Sequence, residues 1–265
     1  MLYLGIDQHS KQLTVNVRNE AGQSMLRRQV RTRDTAPQEF LSHLAMQAGS
    51  DGYVAIVEVC GFNDWLLDLL PKCGCREIVL VHPAQPGKRK TDRRDANQLS
   101  ETLWVNRHRL LTGQRVQGVR RVNIPGESER DDRRLATLRH RVGRELTRVI
   151  NRIWTLLRRR NLQHACPAKS IQTKRARAWL AKLELSPLDR LELDHLLARW
   201  QQLEQHRAVL EQTIAERVAQ SADAQLFSSM PRVGNFMALG LAAYVGDIRR
   251  FPRPRSLANY WGLTP

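Results

Sequence analysis

Asp7, Glu58, Asp92 and Asp95 are the acids of this basic chain whose positions suit phosphodiester chemistry. Asp7 ends the apolar run Leu2-Tyr3-Leu4-Gly5-Ile6, and Glu58 ends Tyr53-Val54-Ala55-Ile56-Val57. Asp92 and Asp95 open a helix-like stretch, Thr91-Asp92-Arg93-Arg94-Asp95-Ala96, and their spacing puts both on one helix face. A divalent cation needs several hard oxygens converging on one point, and Mg²⁺ is held by carboxylates together with substrate phosphate. Four carboxylates crowded together repel unless cations neutralise them. Two Mg²⁺ ions about 3.5–4 Å apart would do so, and would clamp the attacking and leaving oxygens of an in-line displacement. The competing reading pairs Asp92 and Asp95 with neighbouring arginines on a solvated helix face. His9 has the chemistry of a proton carrier, but a surface histidine at a strand end is the commoner outcome, so the catalytic set is the four acids.

Cations frame these acids. Lys88, Arg89 and Lys90 precede Asp92, and Arg93 and Arg94 separate the two aspartates. They would hold the phosphates flanking a scissile one, or form a loop that only steers association. Farther along, Arg139, Arg141, Arg144, Arg148, Arg152, Arg158, Arg159 and Arg160 are accompanied by a single acid, Glu145, between Ala136 and Arg160. That is the footprint of a helix lying along a nucleic-acid backbone. The whole chain of 265 residues carries a formal charge of +17, with 43 Lys and Arg against 26 Asp and Glu. A polyanionic partner follows, nucleic acid before membrane. No apolar run approaches the roughly 20 residues that span a bilayer. The N-terminus lacks a basic region ahead of an apolar one, and Cys60, Cys73, Cys75 and Cys166 lack zinc-site spacing. The expectation is a cytoplasmic protein with reduced thiols and no membrane partner.

The elements that must position the acids read as α/β. Strands are expected at Leu2–Ile6, Leu13–Arg18, Ser24–Val30, Tyr53–Val57 and Glu77–Val81. Helices are expected at Pro37–Ala48 with Thr35 as N-cap, at Asn63–Leu70 with Asn63 as N-cap, and from Asp92 through Trp104. Three hairpin-linked strands followed by βα units is the order of the ribonuclease-H-like fold. In that fold the metal-binding acids lie on the first strand, at the end of the fourth and on the last helix, the stations of Asp7, Glu58 and the Asp92/Asp95 pair.

Beyond this region the chain becomes all-α. Leu135, Leu138, Val142, Leu146, Val149, Ile153 and Leu156 recur at steps of three and four, as do Leu193, Leu196, Trp200, Leu203, Leu210 and Ile214. Two long amphipathic helices suggest an antiparallel hairpin or a coiled-coil dimerisation arm, with an intramolecular bundle as the alternative. Pro231-x-x-Gly234 ahead of Ala238–Val245 and Gly246-Asp247 reads as a helix-hairpin-helix-like element, in which Gly234 would let backbone N–H groups approach a phosphate. A plain helix turn is the rival. The resulting organisation is an α/β domain at 1–106, a basic linker at 107–126, a helical arm at 127–222 and a small helical domain at 223–265.

On these residues the chain resembles the DEDD transposases of the insertion-sequence one-ten family, relatives of the Piv-type DNA invertases. The resemblance rests on Gly5-Ile6-Asp7, Glu58, Lys90-Thr91-Asp92-Arg93-Arg94-Asp95-Ala96 and the closing segments. Those segments are Pro231-x-Val233-Gly234, Gly246-Asp247-Ile248-x-x-Phe251, and Leu257-Ala258-x-Tyr260-x-Gly262-Leu263-x-Pro265. It implies a RuvC-like N-terminal domain, a coiled-coil connector and a C-terminal transposase domain. It also implies an acidic tetrad that binds Mg²⁺, site-specific recombination of an element, and guidance by a structured RNA. A serine nucleophile in a site shared between protomers would make the protein a homodimer or tetramer. In the family that serine follows the Gly-Leu-x-Pro stretch, whereas Ser228, Ser229 and Ser256 precede it here, so a C-terminally shortened transposase is expected. A RuvC-like junction nuclease working by hydrolysis and a non-catalytic nucleic-acid-binding remnant are the alternatives.

Overall fold

Alternating and near-continuous apolar runs in the first eighty residues build one mixed sheet. The computed structural model describes residues 1–82 and 92–263, excluding the side chains of 92–94. Lys88, Arg89 and Lys90 therefore lie outside the described residues. Strands β1 (Leu2–Gln8), β2 (Gln12–Arg18) and β3 (Ser24–Arg31) form an antiparallel meander. Strands β4 (Tyr53–Glu58) and β5 (Cys75–Val81) add parallel to β1, in the order β3-β2-β1-β4-β5. Parallel neighbours need crossovers, supplied by α1 (Ala36–Ala48) and α2 (Asp64–Lys72). Neither Thr35 nor Asn63 caps its helix through its side chain. The Thr35 hydroxyl pairs with Glu39, and Asn63 turns toward the strand ends.

Each face of the sheet has its own core. Leu4, Ile6, Val15, Ala55 and Val57 pack with Leu41 and Leu44 of α1 and with Leu66 and Leu70 of α2. Tyr3, Val54, Ile56, Val79 and Val81 pack with Leu103 of α3 (Asp92–Val105) and Leu110 of α4 (Arg107–Leu111). The basic stretch after α4 packs against this unit as well. His82 N–H donates to Arg120 O at 2.9 Å, and Val122 N–H donates to Leu80 O at 2.7 Å, which covers the free edge of β5. Met1–Ile124 thus form one unit and Pro125–Pro265 another.

The second unit is helical. Helices α5 (Glu127–Arg159) and α7 (Pro187–Gln220) run antiparallel, as their ion pairs show: Asp132–Arg217, Arg139–Glu211, Glu145–Arg199 and Asp189–Arg159. Val142, Leu146, Val149, Ile153 and Leu156 meet Leu193, Leu196, Trp200 and Leu203, with α6 (Lys174–Lys182) closing the cluster through Ala176 and Leu180. Leu138, expected in this seam, is 48% exposed. Helices α8 (Ala222–Ser228), α9 (Asn235–Val245) and α10 (Pro254–Tyr260) complete the unit. In the turn before α9 the left-handed residue is Arg232, at φ 69°, whereas Gly234 is an extended N-cap at φ −82°. Among the described residues no helix is long and apolar enough to cross a membrane.

Buried Asp189 ties the helical hairpin together by accepting from Arg159, Arg160 and Ser186. The bonds from Arg160 and Ser186 lead in holding its carboxyl at about 2, below the ordinary 3.8. A depressed carboxylate pKa adds stability that is present above the unfolded value and lost as pH falls through the folded one. Asp189→Asn is therefore expected to melt at lower temperature than the parent at pH 7. The gap should close between about pH 4 and pH 2, as read from thermal melts across that range.

Candidate active site

Glycine at position 5 decides where α3 sits. A Cβ on Gly5 would stand 2.4 Å from Ala96 O and 2.5 Å from Ser100 N, so the α3 backbone lies directly on β1 at this residue. The helix is held in register by Arg18, which donates to Ser100 Oγ at 3.1 Å, Asn97 Oδ1 at 3.0 Å and Gly22 O at 2.7 Å. Ser100 Oγ in turn donates to buried Asn16 Oδ1 at 2.8 Å. This network fixes the helix that carries Asp92 and Asp95.

Side chains two apart on a strand share a face. Asp7 therefore lies on the same side as Gly5, the side that α3 covers, and Glu58 lies on the same side as Ile56. Ile6 is registered with Val57, so Asp7 and Glu58 are the next residues along neighbouring parallel strands. Both carboxylates are near enough to Cys60 to add to the upward shift that burial imposes on its thiol. Glu58 and Asp95 line one cavity of about 110 Å³, together with Ile56, His82, Gln98 and Thr102. Asp7 is 8% exposed, and its Oδ2 lies 3.0 Å from His9 Nε2. Asp92 begins α3 one helical turn before Ala96, and its side chain is outside the described residues.

Two neighbouring strand-end carboxylates, with a third in the same cavity as one of them, are a hard-oxygen donor set that suits Mg²⁺. Thr14 is opposite Asp7 in the β1–β2 register, and its buried hydroxyl has no hydrogen-bond partner among the described residues. An orphaned buried hydroxyl is costly, and a polar group arriving at this face would relieve it. Among the described residues no three His, Cys, Asp or Glu side chains form a cluster that could hold a metal ion.

Residues 4–161 match the profile of the IS110-type DEDD transposases, and residues 224–265 match the transposase IS116/IS110/IS902 family. The chain belongs to the IS110 family of transposases. A relative, the transposase for insertion sequence element IS1111A of Coxiella burnetii, is 25% identical over 214 residues. That alignment takes in 79% of this chain, which spans 56% of the relative's length.

The IS110-family chain uses its arginines in two ways. Arg139 is paired with Glu211, and Arg159 and Arg160 with Asp189, so three members of the basic set stitch the helical hairpin. Arg141, Arg144, Arg148 and Arg152 are exposed, and their steps of three and four place them in one stripe of α5 away from the buried seam. Arg158 is exposed beyond that stripe, Gly234 caps α9, and Arg93 and Arg94 lie on α3 with side chains outside the described residues. Sequence reasoning missed the supporting shell of Gly5, Arg18, Ser100 and Asn63. Only the Gly-Ile-Asp pattern hinted at Gly5, since a single sequence does not show which helix a polar residue will meet.

Proposed function

We propose that the first unit of this IS110-family transposase is a ribonuclease-H-like, RuvC-type domain that cuts DNA strands during movement of an insertion sequence. The reading rests on one observation: Asp7 and Glu58 follow a registered pair on adjacent parallel strands, on the face covered by the helix that carries Asp95. Asp7, Glu58, Asp92 and Asp95 would hold two Mg²⁺ ions. Those ions would supply charge stabilisation for the attacking and leaving oxygens of the phosphodiester. The protein's own share is positioning. His9 fixes the rotamer of Asp7 through its 3.0 Å contact, the seating of α3 on Gly5 sets the height of Asp95, and the 110 Å³ cavity beside Glu58 admits a small polar group. Lys88, Arg89, Lys90, Arg93 and Arg94 would neutralise phosphates next to the one cut.

Incubating the protein with DNA carrying the element's ends tests this reading. Strand breakage should require Mg²⁺ or Mn²⁺ and stop on chelation; breakage that persists in chelator would end the proposal. A protein-bound DNA end would indicate recombination through a nucleophile. Free 5′-phosphate ends would indicate hydrolysis.

The second unit would carry nucleic acid on the Arg141, Arg144, Arg148 and Arg152 stripe, with DNA as substrate. The structured RNA partner and the multimeric state implied by the family resemblance belong to the same proposal. Each neutralised phosphate contributes about 0.9 to the slope of log K against log salt. Replacing all four arginines by glutamine is expected to flatten that slope by about 3 to 4, as read by fluorescence anisotropy on duplex DNA. An unchanged slope would exclude the stripe from binding.

A further inference from the structure

The backbone register between β1 and β4 stops at Ile6 and Val57, one residue short of the two acids. Beyond that point the strands are joined by side chains. Asn63 Nδ2 donates to Gln8 Oε1 at 2.8 Å and to the main-chain oxygen of Glu58 at 3.1 Å, and its Oδ1 accepts from Cys60 N–H. Gln8 completes the link by donating from Nε2 to Phe62 O at 2.9 Å. Asn63 is 5% exposed and Gln8 6%. Gln8 directly follows Asp7, so the bridge spans the two strand ends immediately behind the carboxylates.

Like charges on adjacent strand positions repel, and past Ile6 and Val57 no β1–β4 ladder opposes that repulsion, because Asp7 and Gln8 pair outward with β2 and Glu58 with β5. A buried, fully hydrogen-bonded amide resists this without adding charge. Asparagine suits the place because it offers donor and acceptor together, and both are used here. We propose that Asn63 is a positioning residue: with Gln8 as its arm, it sets the separation of the Asp7 and Glu58 carboxylates so that they accept a divalent cation. The inference rests on the metal-site reading above and adds the group that holds the site's spacing.

Calorimetric titration of the whole chain with Mn²⁺, paired with thermal melts, tests it. Asn63→Ala is expected to weaken Mn²⁺ binding by about 10-fold or more, the scale on which groups behind metal ligands act. Gln8→Met, which keeps the bonds of Asn63 to Glu58 and Cys60, should weaken it less. This milder variant carries the test if Asn63→Ala does not fold. Asp7→Asn is the control for the site itself. If Asp7→Asn binds Mn²⁺ as the parent does, the metal-site reading fails and takes the proposal with it. If Asp7→Asn loses binding while the folded Asn63 and Gln8 variants keep parental affinity and only melt earlier, Asn63 is structural and the positioning role alone is overturned.

Discussion

Asp7→Asn is expected to cut metal-dependent DNA breakage by about 10³-fold or more while leaving the fold intact. The substitution preserves size and keeps an oxygen or nitrogen for His9 at 3.0 Å, so the β1 end has no packing reason to move. What it removes is a negative charge beside Glu58, where a bound cation would be worth several kcal/mol to the transition state, and each 1.36 kcal/mol is tenfold in rate. Glu58→Gln should behave alike, because both residues extend the Ile6–Val57 register on the same face. Rates measured at saturating Mn²⁺ decide the matter, with circular dichroism confirming the fold. A loss of only a few fold would mean that the strand-end pair is not the centre of the chemistry.

Gly5→Val is expected to unseat α3. A Cβ alone would stand 2.4 and 2.5 Å from backbone atoms of Ala96 and Ser100, and backbone cannot rotate aside as a long side chain can. Forcing bulk into such a contact costs about 3 kcal/mol or more. The cost should appear as about 100-fold faster hydrogen exchange at α3 amides, with the α5–α7 hairpin unaffected. Because Asp95 rides on the displaced helix, the same variant should also weaken Mn²⁺ binding. Parental exchange in α3 would show that the helix does not depend on this contact.

Much of the α/β unit was legible in the chain because its signals are local. Alternation in Leu13–Arg18 and the apolar runs ending at Asp7 and Glu58 marked β2, β1 and β4, which in the structure continue a residue or two farther as the pairing does. Periodic apolar residues marked α5 and α7, and the sparse acids around Arg141 to Arg152 marked a basic surface. The family resemblance was legible in ordered short motifs distributed from end to end.

Other features could only be decided in three dimensions. The direction of α7 against α5 shows in which acid meets which arginine, partners 29 to 85 residues apart, and those pairings engage Arg139, Arg159 and Arg160. Asn63 carried the local signature of a helix cap, yet its amide went to Gln8 and Glu58, because buried strand ends left polar groups that needed partners more than an exposed helix start did. Gly5 looked like any strand glycine until α3 lay on it. Residue type and spacing thus nominated the acids and the chemistry proposed for them. Which acids stand together, at what height and held by what, followed from long-range packing, whose partners a linear chain does not name.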